Sequence, residues 1–159
     1  MFVKHELDIL NKGNKLRPKS TCQHKMNIHQ VPVAHCAQIW PHVEGYIAKC
    51  LKYTDDVDLA QVKVFVLTGA WVLIVAADDA GQIHGASTVV FVNDPNFRTG
   101  IITTMGGRGI VSKEAFGPYL NIIRSLGATR IQAYARDSAA RLYERYGLYK
   151  KSTLMEMKI

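Results

Sequence analysis

The feature that most constrains this chain is a change of hydrophobic period near its middle. Residues 71–93, WVLIVAADDAGQIHGASTVVFVN, place two apolar, β-branched runs on either side of Asp-Asp-Ala-Gly. Turn formers between two such runs predict a tight antiparallel hairpin. Upstream the period is helical: Val33, Ala37, Trp40, Val43, Tyr46, Ile47, Cys50 and Leu51 recur at steps of three and four, with Pro41 expected to kink or restart that helix. A turn at Thr54 to Asp56 leads to a second helix from about Asp58, capped by that aspartate and closed by Gly69. Downstream come a third strand at RTGIITTM, a helix near Tyr119 to Leu126 closed by Gly127, a strand TRIQAYA, a helix DSAARLYERYG and a last strand KSTLMEMKI. The expected order is α-α-β-β-β-α-β-α-β, an α/β chain.

At 159 residues, 48% hydrophobic and 21% charged, the chain has the size and composition of one globular domain. The longest apolar run, Ala70 to Ala77, is far short of the ~20 residues that span a bilayer, and no apolar signal core opens the sequence. A soluble, cytoplasmic protein with no membrane partner is expected. Cys22, Cys36 and Cys50 are odd in number and widely spaced, which predicts reduced thiols rather than a disulfide framework. Cys22, His24, His29, His35 and Cys36 lie close in sequence but lack paired ligand spacing, so no metal is expected.

The formal net charge of +7 favours acidic partners without choosing among phosphates, nucleic acid and anionic protein surfaces. The excess is uneven. Lys4, Lys12, Lys15, Arg17, Lys19 and Lys25 crowd a polar leader whose acids are Glu6 and Asp8. Residues 1–30 are therefore expected to form a basic N-terminal arm before a domain at 31–159, with nucleic acid or a neighbouring protein as its partner.

The order of elements, hairpin first and a β-α-β-α-β tail, resembles the GNAT family of acyl-CoA-dependent N-acetyltransferases over about residues 33 to 159. Two motifs carry the likeness. Thr104-Met105-Gly106-Gly107-Arg108-Gly109 is similar to the family's loop of the form Gln/Arg-x-x-Gly-x-Gly/Ala, with Thr104 in the leading position. Glycines let a backbone approach a pyrophosphate, a helix N-terminus beyond offers free N–H groups, and Arg108 adds a charge-assisted contact. The second motif is DSAARLYERYGLYK, in which Ala139, Leu142, Tyr143, Gly147 and Leu148 match and Arg136 stands where the family often has asparagine. Asp137 or Ser138 suits the N-cap of that helix and Gly147 its left-handed exit.

The resemblance implies a GNAT-like fold, a mixed central sheet flanked by helices. It also implies acetyl-CoA as co-substrate on Thr104 to Gly109, and an unknown amine as acceptor. Tyr143 is cast as the general acid that protonates the departing thiolate. A tyrosine hydroxyl, with an ordinary pKa of about 10, holds its proton at neutral pH and so suits an acid rather than a base.

The pattern also resembles small phage-encoded GNAT-like proteins, through Trp40-Pro41, Tyr53-Thr54-Asp55 and Gly107-Arg108-Gly109. That likeness implies an alternative, a catalytically silent scaffold in a phage virion or its assembly, whose arm meets protein or DNA. A direct nucleic-acid binder is a third reading, permitted by charge alone. An exposed β edge permits a homo-oligomer.

Three features bear on the chemistry. The strand Arg98 to Met105 carries no acid where the family commonly has a glutamate. Asp78, Asp79 and Asp94 sit in turn contexts, and His84 is the one mid-sheet imidazole, read as structural. Pro118 disfavours a helix that starts at Ser112, so the start is expected near Gly117-Pro118, about eight residues beyond Gly109.

Overall fold

The computed structural model describes residues 25–159. The hairpin around Asp78 to Gly81 is present as β2 (Val72–Ala77) and β3 (Ile83–Asn93), at the middle of a five-stranded sheet. Strand β4 (Arg98–Gly107) pairs antiparallel with β3, and β5 (Arg130–Ala133) lies parallel to β4. A parallel neighbour needs a crossover, which helix α3 (Lys113–Ser125) supplies. On the far side of the hairpin, β1 (Asn27–Gln30) pairs antiparallel with β2. The strand order is β1-β2-β3-β4-β5.

Alternation along β2 divides the core between two faces. Leu73 and Val75 join Trp40, Val43 and Ile47 of α1 (Val33–Leu51) and Val62 and Val66 of α2 (Leu59–Leu67). Ile74 and Ala76 point the other way, to Ile110 and to Phe116, Tyr119 and Ile123 of α3. The N-terminus of α2 is closed by a capping box: Asp58 accepts from the Gln61 N–H at 2.8 Å, and the Gln61 side chain accepts from the Asp58 N–H at 2.9 Å. Helix α4 (Asp137–Glu144) completes the described elements. Among the described residues no helix is long and apolar enough to cross a membrane.

The mixed α/β architecture is the expected one, and five local features differ from the sequence reading. Helix α3 begins at Lys113 with Ser112 as N-cap, and Pro118 lies inside it. The Ser112 Oγ accepts from the Ala115 N–H at 3.1 Å, and the burial of Ala115, Phe116, Tyr119 and Ile123 along one face outweighs the one bond a proline withholds. Helix α1 likewise runs through Pro41 without a restart. Arg136, not Asp137 or Ser138, is the N-cap residue of α4, although Gly147 does take the left-handed φ of +92°.

The last strand does not form: residues 151–159 have no regular structure, and Leu154, Met155, Met157 and Ile159 are exposed. Met155, Met157 and Ile159 do alternate with Glu156 and Lys158, yet no strand of the described sheet pairs with the segment, so its pattern finds no packing partner. Finally, residues 27–30, assigned by sequence to the basic arm, are sheet; residues 1–24, the bulk of that arm, lie outside the described residues.

Candidate functional site

Strand β4 has two different edges. On the β3 side it is paired from Asn93↔Arg98 to Gly85↔Gly107. On the β5 side pairing runs only from Thr99↔Arg130 to Ile102↔Ala133. Residues 103–107 therefore continue without a β5 partner, and the two parallel strands part at Ile102. The register with β3 shifts at the same point, because Thr88 faces Thr104 while Val89 faces Ile102, leaving Thr103 as the extra residue of a bulge.

Hydroxyls hold the bulge in place. Thr103 Oγ1 donates to the Thr88 carbonyl at 2.9 Å, and Thr88 Oγ1 lies 2.7 Å from the hydroxyls of both Thr103 and Thr104. Thr104 Oγ1 accepts from the Thr88 N–H at 3.2 Å. Ser87 Oγ donates to the Thr104 carbonyl at 2.7 Å and lies 2.8 Å from Tyr119 Oη. Thr104 is buried, and its side chain is committed to β3.

The glycines that follow each have a reason within the fold. A Cβ on Gly106 would lie 2.9 Å from Cys50 Sγ and from the Tyr46 carbonyl, so the C-terminal end of α1 presses on β4 there. Gly107 has φ +97°, and a Cβ would run into the His84 carbonyl. At Gly109 a Cβ would crowd Ala76, Met26 and His84 at 3.0 to 3.3 Å. Three residues later Ser112 caps α3, so the loop leads directly into a helix N-terminus. Arg108 is exposed.

Helix α4 brings Tyr143 to this region. Tyr143 packs against the α3-side core, and burial, with smaller contributions from Cys50 and Tyr146, pushes its pKa up to about 12. Burial also pushes the Cys50 thiol up, against a smaller opposing pull from the Met105 N–H. Tyr143, Cys50 and Met105 thus lie near one another where β4 leaves β5. Tyr146 fixes the arrangement: its ring stacks on Phe116 with centroids 4.6 Å apart, and its hydroxyl donates to the Val111 carbonyl. At the other end of α4, the Arg136 guanidinium sits 3.5 Å over the Tyr53 ring in the turn between α1 and α2.

The expected turn roles of the aspartates are visible. Asp78 Oδ1 accepts from the N–H groups of Ala80 and Gln82, Asp79 accepts from Asn27, and Asp94 accepts from Thr99 and Arg130. Sequence reasoning missed what Asp78 does with its second oxygen. His84 Nε2 lies 2.8 Å from Asp78 Oδ2, and hydrogen bonds led by the one to His84 hold the Asp78 carboxyl below the usual range. An ionised carboxylate only accepts, so the imidazole donates through Nε2. His84 does not stand in mid-sheet; it is the second residue of β3, next to the hairpin turn, and with Tyr46, Lys49, Gly107 and Arg108 it lines a cavity of about 290 Å³. Residues that flank a tight turn are cross-strand neighbours, so the spacing of Asp78 and His84 was the available signal. Among the described residues no group of three or more His, Cys, Asp or Glu side chains is placed to hold a metal ion.

No protein-family model and no curated protein matches the sequence. Solved structures do match in fold. A predicted acetyltransferase with acetyl-CoA from Clostridium acetobutylicum is 14% identical at a TM-score of 0.60, covering 84% of this chain and 96% of its own. An aminoglycoside acetyltransferase, meta-AAC0020 from an uncultured soil metagenomic sample, in complex with sisomicin, is 10% identical at 0.63, covering 84% and 95%. Glucosamine-6-phosphate N-acetyltransferase from Arabidopsis thaliana is 17% identical at 0.56, covering 84% and 98%. The fold is that of the GNAT acetyltransferases.

Proposed function

We propose that this chain binds acetyl-CoA along the open edge of β4 and transfers the acetyl group directly to a small-molecule amine. The observation that carries the reading is the parting of β4 and β5 at Ile102↔Ala133. Among the described residues no strand pairs with the backbone groups of residues 103–107 on that edge, and an extended amide-bearing ligand satisfies them as a strand would. At the end of the edge the α3 N-terminus, capped at Ser112, suits the pyrophosphate.

The bound thioester supplies an activated acyl carbon. Attack by the acceptor nitrogen forms the C–N bond and breaks the C–S bond, and the sulfur leaves as a thiolate. This pocket penalises an anion there, because burial raises both Tyr143 and the Cys50 thiol beside it. Tyr143 keeps its proton throughout the neutral range and delivers it from Oη to the thiolate, and the proton that the attacking nitrogen sheds on becoming an amide returns through solvent to the phenolate. The roles of Met105 to Gly109 follow from their backbone. Thr104, whose hydroxyl serves β3, contributes to the shape of the edge.

Calorimetric titration with acetyl-CoA tests the reading, using Ser112→Asp as the partner variant. Aspartate caps a helix as well as serine does, so the fold is kept while a negative charge meets the pyrophosphate. The expected result is saturable micromolar binding by the natural protein, weakened at least tenfold in the variant. Absence of binding at millimolar ligand overturns the proposal.

A further inference from the structure

The segment after α4 and the outer edge of β5 are each unfinished. The alternation from Met155 to Ile159 is that of a strand with one apolar face, yet Met155 and Met157 are 86% and 81% exposed. Strand β5 ends the sheet: it is bonded to β4 on one side, and among the described residues no strand lies on the other. Its side chains divide by face. Ile131 and Ala133 pack on the α3-side core, which leaves Arg130 and Gln132 on the opposite face. A strand added with its methionines on the Ile131 face brings Glu156 to the face of Arg130, opposite in charge. A slip of one residue would instead set three apolar side chains beside Arg130 and Gln132, so the two patterns select one facing.

Within its own copy the segment does not lie on β5. Lys158 is drawn to Asp55 in the turn between α1 and α2, and Arg136, three residues past the end of β5, sits over Tyr53 of the same turn. The tip therefore stands at the carboxyl end of β5 rather than alongside it. Lys158 and Asp55 are both well exposed, so little stability is lost when their contact is given up. We propose that residues 155–159 add as a strand to the outer edge of β5 in a second copy of this chain, and that the exchange is reciprocal. A second copy is the occupant because it supplies both missing halves at once. Each chain has one strand to give and one edge to receive it, so a two-fold dimer closes with neither left over. Strand β5 also leads into α4, so the added strand steadies the element that carries Tyr143.

Full-length protein, from micromolar to millimolar, is followed by sedimentation and by hydrogen exchange of the β5 amides. The expected result is a monomer–dimer equilibrium in which protection of β5 rises in step with the dimer. Met157→Pro removes a strand N–H and should weaken dimerisation at least tenfold. Met157 is exposed, so the diluted variant should keep the natural melting temperature, and Met157→Leu should keep the dimer. Isotope-labelled Met157→Pro mixed with unlabelled natural protein should regain protection at β5, because the natural copy still has a strand to lend. A monomer at every concentration overturns the proposal, whether β5 is open or is protected by its own tail. So does protection of β5 that survives Met157→Pro without the natural copy, which would put another segment, such as residues 1–24, on that edge. A dimer of undiminished strength in Met157→Pro would place the interface elsewhere and equally overturn it.

Discussion

The two edges of β4 are made from one strand and serve different ends. Its β3 edge is paired along its length and tied by the hydroxyls of Ser87, Thr88, Thr103 and Thr104; its β5 edge is paired over four positions and then open. The fold is secured on one side of the strand, and the other is the edge proposed for acetyl-CoA. Substitutions along the two edges should therefore separate, one set moving stability and the other moving binding or turnover.

The largest effect is expected where the edges meet. Ile102 is buried at the last paired position, and Ile102→Ala should lower the unfolding free energy by about 3 kcal/mol in a urea titration. A loss below about 1 kcal/mol would mean that the vertex is not core. Next comes Tyr143→Phe on the open side. Acetyl transfer should fall about a hundredfold while acetyl-CoA affinity stays within twofold, as loss of a general acid requires. A matching loss of affinity would mark Tyr143 as a packing residue.

The same tyrosine has a stability signature at high pH. Its folded pKa of about 12 exceeds the unfolded value of about 10, so its contribution is complete below pH 10 and is lost as pH rises from there through 12. Alkaline unfolding of Tyr143→Phe should accordingly show a shallower decline across that window. Smaller again, Ser87→Ala on the β3 edge should cost about 2 kcal/mol, since it leaves the buried Tyr119 hydroxyl without its partner. Adding Tyr119→Phe should recover part of the loss. If the double variant is less stable than the single, the hydroxyl pair is not what holds that edge.

The smallest effect is expected from Asp55→Asn. Asp55 is held below the usual carboxylate range by Lys158, a contribution present above about pH 4 and lost as pH falls further. Both partners are exposed, so no change in the urea midpoint should be detectable at moderate salt.

What was legible in the sequence was local. The Asp58 cap, the hairpin at Asp78 to Gly81 and the helix-closing Gly127 and Gly147 are each decided within a few residues, and each is where the pattern put it. Pro118 misled because a rule about one backbone bond was weighed without the Ser112 cap and the buried face of α3. KSTLMEMKI has strand propensity, yet strands need a partner, which propensity does not supply. The glycines at 106 and 107 were read as letting the backbone approach a pyrophosphate. What approaches within the chain is α1 and the start of β3, and nothing local names the visitor. Lys49 and Arg108 share a cavity because of that approach, so their pairing was invisible until α1 was docked.

The parallel pairing of β4 with β5 also bears on when the slot comes into being. The hairpins β2–β3 and β3–β4 close across short turns, but β5 reaches β4 only after the chain has passed through the whole of α3. Contacts of longer sequence separation form later, because loop closure must precede them. During folding the β4–β5 edge is thus assembled after the two hairpins that support it, and a ligand at that edge acts on a late step, slowing departure from the finished state more than it hastens arrival.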